Sequence, residues 1–239
     1  MAETVAAIHR VLASGSGFPS VVETSAGHLY VLKLSGAGPG RRALATEYLA
    51  LKIARQLGLT VPDALVIDLP RDFPWQTGTD EFYEAVQRSA GANLGVAFIA
   101  DAHDLTAHDL ADLPVPFIQR LAAVDALLQN VDRTAANPNI MRDTAGVHWA
   151  IDFGACLLIE RLARGALEPR RDLPPNHFLV ARDVADDVRN AAVQIDAAFL
   201  EPVIAALPGD WVADFGLSRQ ALLQRLDTYL AEMRMAGPA

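Results

Sequence analysis

Asp132 is followed five positions later by Asn137, and Asp152, Phe153 and Gly154 come after a hairpin-like stretch ending in His148-Trp149-Ala150-Ile151. A carboxylate, an amide and a second carboxylate in that order are the groups that phosphoryl transfer needs. One carboxylate accepts or orients the proton of an attacking hydroxyl, while oxygen ligands hold Mg2+ against the β- and γ-phosphates of ATP. In the spacing D-x-x-x-x-N a tight loop points both side chains into one cleft. Asp132 is therefore read as the proton acceptor, and Asn137 and Asp152 as the metal ligands. Asn139 competes for the amide role. Asn137 is preferred for its spacing, with Pro138 stiffening the exit from the loop, although an Asn-Pro-Asn run alone is no more than a turn. A second Asp-Phe-Gly, Asp214 to Gly216, lacks this context: Ala185 stands five residues before Asn190, the nearest preceding asparagine, and 23 residues follow Gly216. It is read as a loop before the last helix.

Two more charges occupy positions patterned for burial. In His28 to Leu34 (HLYVLKL), period-two alternation puts Lys33 on the apolar face of Leu29 and Val31. Glu47 falls on the helical stripe of Leu44, Tyr48, Leu51 and Ala54. An unpaired buried charge is strongly unfavourable, so the two are expected to meet, with the lysine aimed at nucleotide phosphates. The alternative is a lysine snorkelling at a strand edge beside a glutamate at the rim of its stripe. Ahead of the strand, Gly15-Ser16-Gly17-Phe18-Pro19-Ser20-Val21-Val22 approximates the loop G-x-G-x-x-G-x-V, whose backbone N–H groups cover phosphate. Ser20 replaces the third glycine and Pro19 removes one donor, and a Gly-Ser turn is the plain alternative. Gly15, Ser16, Gly17, Ser20 and Lys33 form the expected phosphate side of a nucleotide site, with backbone groups from Ile99 to Asp101 taking adenine. His103 and His108 are off a common helical face and lack a third ligand, so they are not read as a metal site.

Positioning these groups requires two kinds of structure. The first hundred residues mix strand-like runs (Ser20 to Thr24, His28 to Leu34, Ala64 to Leu69, Gly95 to Ile99) with one good helix, Ala43 to Leu57, stopped by Gly58 and Pro62. Arg71 to Gly91 reads as an insertion with a short helix near Phe82 to Arg88. The remainder is mainly helical: Phe117 to Gln129, about Val184 to Leu207, and Ser218 to Arg234. The expected fold is α+β and bilobal, with an antiparallel small lobe over 1–100 and a larger helical lobe over 101–239, together one domain.

The 239 residues are 51% hydrophobic and 21% charged, enough to bury a sizeable core. With 20 basic against 29 acidic residues the net charge is -9, which disfavours nucleic acid and anionic membranes. Arg161, Arg164, Arg170 and Arg171 crowd one stretch, either a solvated loop or an anion or partner site. Cys156 is the one cysteine and cannot form an internal disulfide; with acidic Glu3 near the start and no apolar run of about 20 residues, the chain reads as cytoplasmic. Cys156 itself is either a small buried residue or a thiol close to the triphosphate.

The stretches HLYVLKL, ALATEYLALKIARQLGLTVP, DALLQNVDRTAANPN and WAIDFGA together resemble the HipA-like kinases, in the short branch that lacks the large N-terminal subdomain of the founding toxins. That resemblance implies a bilobal kinase using MgATP, commonly on serine or threonine of a protein, and leaves an antitoxin-like partner open. Toxin members act on aminoacyl-tRNA synthetases and on a serine of their own glycine-rich loop, for which Ser16 or Ser20 are the equivalents by motif. The chain departs from ordinary protein kinases at Val131, which no His-Arg pair accompanies, at Thr134 in place of a lysine, and in lacking Ala-Pro-Glu after Gly154. The acceptor therefore stays open between protein and small molecule, and a nucleotide-binding pseudokinase is the non-enzymatic alternative.

Overall fold

The computed structural model describes residues 3–12, 17–74, 78–165 and 169–235, so Gly15 and Ser16 of the glycine segment lie outside the described residues. Strand β1 (Glu3–Val11) is not foreseen by periodicity. Its pairing with β2 (Ser20–Thr24) shifts register between Val5 and Ala7 and again between Ile8 and Arg10, and such irregularities erase the alternation by which a strand is recognised. From β2 the antiparallel order runs through β3 (Leu29–Lys33) and β5 (Gly91–Ala97) to β4 (Ala64–Leu69). β1 then pairs parallel with β4 at Glu3 and Thr4, closing a barrel. The expected antiparallel sheet is corrected at this seam. β5 also starts at Gly91 and stops at Ala97, because Gly91 and Ala92 pair with Leu69 and Asp68 despite their weak strand preference.

Helix α1 (Arg41–Gln56) precedes β4 in the chain and ends at Gly58, whose φ of 74° lets its N–H reach the Arg55 carbonyl while Leu59 reaches that of Ala54. Helix α2 (Asp80–Arg88) begins where the Thr79 hydroxyl accepts the Phe82 N–H at 3.3 Å. It is more than an inserted loop: Phe82, Ala85 and Val86 join Val5, Val22, Leu32, Ile67 and Leu69 in the barrel core.

A second sheet, in the order β6 (His103–Asp104), β7 (Ile140–Arg142), β8 (His148–Ala150), flanks helix α3 (Val115–Leu128). Helices α4 (Leu158–Ala163), α5 (Ala185–Val193), α6 (Ala197–Ala205), α7 (Gly209–Ala213) and α8 (Arg219–Met235) complete the chain. The single helix expected over Val184 to Leu207 is two, because the Asp196 carboxylate accepts the Phe199 N–H at 2.8 Å and starts α6 afresh.

The larger core joins Leu121, Val124 and Leu128 of α3 to Val188, Leu226 and Leu230, each fully buried large apolar side chain contributing about 1.5–3 kcal/mol. α1 belongs to this core through Leu44, Tyr48, Leu51 and Ile53, rather than to that of the barrel. The molecule thus has two apolar centres, with Lys33 at the edge of one and Glu47 in the other. Among the described residues no helix is long and apolar enough to cross a membrane.

Candidate active site

On β3 the inward residues are Tyr30 and Leu32, so the face of Leu29, Val31 and Lys33 is the less buried one, a correction to the reading from alternation. The barrel fills from the opposite face, and Lys33 is left free to project towards α1. Its Nζ lies 2.7 Å from both carboxylate oxygens of Glu47 and 3.1 Å from Oδ1 of Asp152. Glu47 is core-facing as its stripe requires, its side chain 3% exposed against 24% for Lys33. Burial opposes a charged lysine, but the carboxylates of Glu47 and Asp152 outweigh it and hold the ammonium above its ordinary pKa.

Asp152 is 49% exposed at its side chain. Partial burial raises its pKa less than Lys33 and the Gly154 N–H lower it, so the carboxyl is held below the ordinary range and ionised. Its φ of 57° is a left-handed conformation that a residue other than glycine adopts at a cost, and such outliers collect where a side chain must be aimed.

The loop after Asp132 closes on itself: Thr134 and Asn137 exchange backbone hydrogen bonds at 3.1 and 3.2 Å. Asp132 is exposed and accepts on Oδ2 from Nδ2 of Asn137 at 3.0 Å and, more weakly, of Asn139 at 3.4 Å. The shorter bond favours Asn137 as the residue paired with Asp132. Both side-chain bonds of Asn137 use its nitrogen, turning the amide oxygen away from Asp132. An ionised carboxylate on Asp152 and an amide oxygen on Asn137 are hard donors suited to Mg2+, which takes one or two protein ligands and completes its shell with phosphate and water. Among the described residues no group of three His, Cys, Asp or Glu side chains offers a fuller cage.

What orients this loop is a buried network that sequence reasoning misses. Arg133, wholly buried, donates through Nε to Asp125 at 2.5 Å, through Nη1 to the carbonyls of Pro138 and Asn139 at 2.9 and 2.7 Å, and through Nη2 to that of Ile151 at 3.4 Å. Its guanidinium sits 4.8 Å from the ring centroid of Phe153. One side chain therefore fixes both the Asp132 loop and the approach to Asp152. Asp125 also accepts from Asn130 at 3.0 Å and contacts His177 Nε2 at 3.1 Å. The signal was present, since Asp125 follows Leu121 by one helical turn on the buried face of α3, the same anomaly that pointed to Glu47.

The other expected ligand groups are more loosely placed. Gly17 is open, Phe18 packs edge-on against Phe82 at 5.6 Å, and Ser20 is buried with its hydroxyl donating to the Phe18 carbonyl at 3.0 Å. The Ser20 hydroxyl closes this turn. Ile99 and Asp101 follow the end of β5, Ile99 partly buried and Asp101 exposed. In the arginine-rich stretch, Arg161 donates to Gln129 at 3.3 Å and Arg164 pairs with Glu160 at 2.9 Å.

Cys156 is buried, and burial pushes its thiol well above the ordinary value. We expect a maleimide at mildly alkaline pH to leave the native protein unmodified while the urea-denatured protein reacts fully. Rapid labelling of the native protein would contradict this burial.

On this α+β fold a barrel-borne lysine meets a helix glutamate and the aspartate of an Asp-Phe-Gly, the kind of grouping with which kinases handle phosphate. Residues 5–234 match the HipA-like kinases, and the chain belongs to that family. Among solved structures it is similar to the crystal structure of a Helicobacter pylori proinflammatory kinase, CtkA, with a TM-score of 0.59 and 15% identity over 95% of this chain and 91% of that one. No curated protein sequence matches it.

Proposed function

We propose that the protein is an MgATP-dependent kinase that transfers the γ-phosphoryl group to a hydroxyl, on serine or threonine of a protein. In this reading 1–100 carries the phosphate-facing groups and 101–239 the acceptor side, as two lobes of one domain. The observation that carries it is Lys33 held between Glu47 and Asp152 at 2.7 and 3.1 Å. Lys33, kept cationic, meets the phosphates, and Glu47 holds its ammonium in place. Asn137 and Asp152 would hold Mg2+, which when bound neutralises charge on the β- and γ-phosphates. Asp132, exposed at the loop mouth and steadied by Asn137, takes the acceptor proton as the oxygen attacks in line.

Binding is tested by thermal unfolding. MgATP is expected to raise the melting temperature by several degrees, because a ligand that binds only the folded state stabilises it by mass action. Asp152→Ala is expected to remove most of the magnesium-dependent part. Equal shifts for both proteins with and without magnesium would overturn the metal assignment. The acceptor is tested by supplying γ-labelled ATP with fractionated lysate: label is expected in protein, and label in small metabolites alone would replace the protein acceptor with a small-molecule one.

A further inference from the structure

The second Asp-Phe-Gly has no place in the catalytic order, yet it lies against the first turn of α1. Arg41 donates through Nε and Nη2 to the two carboxylate oxygens of Asp214 at 2.9 and 3.1 Å, and through Nη1 to Asp210 at 2.8 Å. Arg42 lies over the Phe215 ring, 5.3 Å from its centroid, and donates twice to the Asp214 carbonyl, at 2.8 and 2.6 Å. Its Nη1 also reaches Glu160 of α4 at 3.1 Å.

For α1 by itself this is a poor beginning. Gly40 supplies no side-chain cap, no acidic residue stands in the first turn, and two cations there oppose the helix macrodipole. The arginines serve contacts outside the helix. Exposed ion pairs of this kind add little to global stability, but a bidentate arginine-carboxylate pair fixes direction as well as distance. The fixed end of α1 is less than two helical turns from Glu47.

We propose that Arg41 and Arg42, gripped by Asp210, Asp214 and Glu160, are positioning residues that set α1 against the helical part of the molecule and so hold the Glu47 carboxylate where Lys33 reaches it. The inference deepens the kinase reading and rests on it for its activity readout.

The test compares Arg41→Gln and the pair Asp210→Asn/Asp214→Asn in the wild type and in Glu47→Gln, following ATP turnover and, without nucleotide, amide hydrogen exchange over α1. Each change is expected to lower kcat/KM about tenfold in the wild type and less than about twofold beside Glu47→Gln, since effects that run through one residue are not additive. Exchange over Leu44–Tyr48 should quicken while the urea midpoint stays nearly constant, and Arg41→Lys should retain part of the activity. Equal losses in both backgrounds, or unchanged exchange, would overturn the proposal. If the wild type turns over no ATP, the reaction assigned above falls, and the exchange over Leu44–Tyr48 alone decides for or against the clamp.

Discussion

Asp132→Asn is expected to bind MgATP nearly as the wild type does and to lose about two or more orders of magnitude in turnover. The separation follows from geometry. No hydrogen bond joins Asp132 to Lys33 or Glu47; its carboxylate accepts from the side-chain amides of Asn137 and Asn139 and is otherwise exposed. Asparagine keeps the shape but cannot take a proton. The check is a nucleotide thermal shift beside single-turnover phosphorylation, and survival of activity within a few fold would mean that another carboxylate is the base.

Arg133→Met should produce the largest loss of stability, ~3–5 kcal/mol in urea unfolding, because removing one partner of a buried pair leaves the other charge uncompensated. The Asp125 carboxylate would keep only Asn130 and His177, and the carbonyls of Pro138 and Ile151 would lose the Arg133 donor, while that of Asn139 would keep the Ile151 N–H. The double change Arg133→Met/Asp125→Asn should recover part of the loss, as it removes the orphaned charge. The pH dependence has a definite sign. Burial raises the Asp125 pKa less than Arg133 and its hydrogen bonds lower it, so the folded value lies below the ordinary 3.8. Its stabilisation is complete above 3.8 and lost as the pH falls through the lower, folded value, so acid should narrow the gap between wild type and the double variant. A single variant as stable as the wild type would show that the network is dispensable.

Much of the site was legible in the sequence because it depends on charges in places where charge is unfavourable. Glu47 on an apolar helix stripe and the order Asp132, Asn137, Asp152 pointed to residues that the fold brings together as Lys33–Glu47–Asp152 and Asp132–Asn137. The helices α1, α3 and α8 were legible for the same reason, as sustained apolar stripes. Strand β1 was not, since two register shifts hide its period, and neither was the barrel, whose closure depends on β1 meeting a strand far along the chain. The exposure of Lys33 was misread because alternation tells which residues share a face but not which face the core fills. Asp214 was set aside for want of neighbours in sequence, while its partners, Arg41 and Arg42, come from the other end of the chain.

The parallel seam between β1 and β4 bears on how a protein acceptor would dock. Where Glu3 and Thr4 pair with Ile67 and Asp68 the barrel is closed, so a peptide has no edge at that seam on which to add as a further strand. The other sheet has edges, but β6 is two residues long and β8 three, with the Ala150 N–H already donated to the Thr60 carbonyl. Among the described residues, then, neither that seam nor these short edges offers a long strand for an extended substrate of the proposed kinase to pair with.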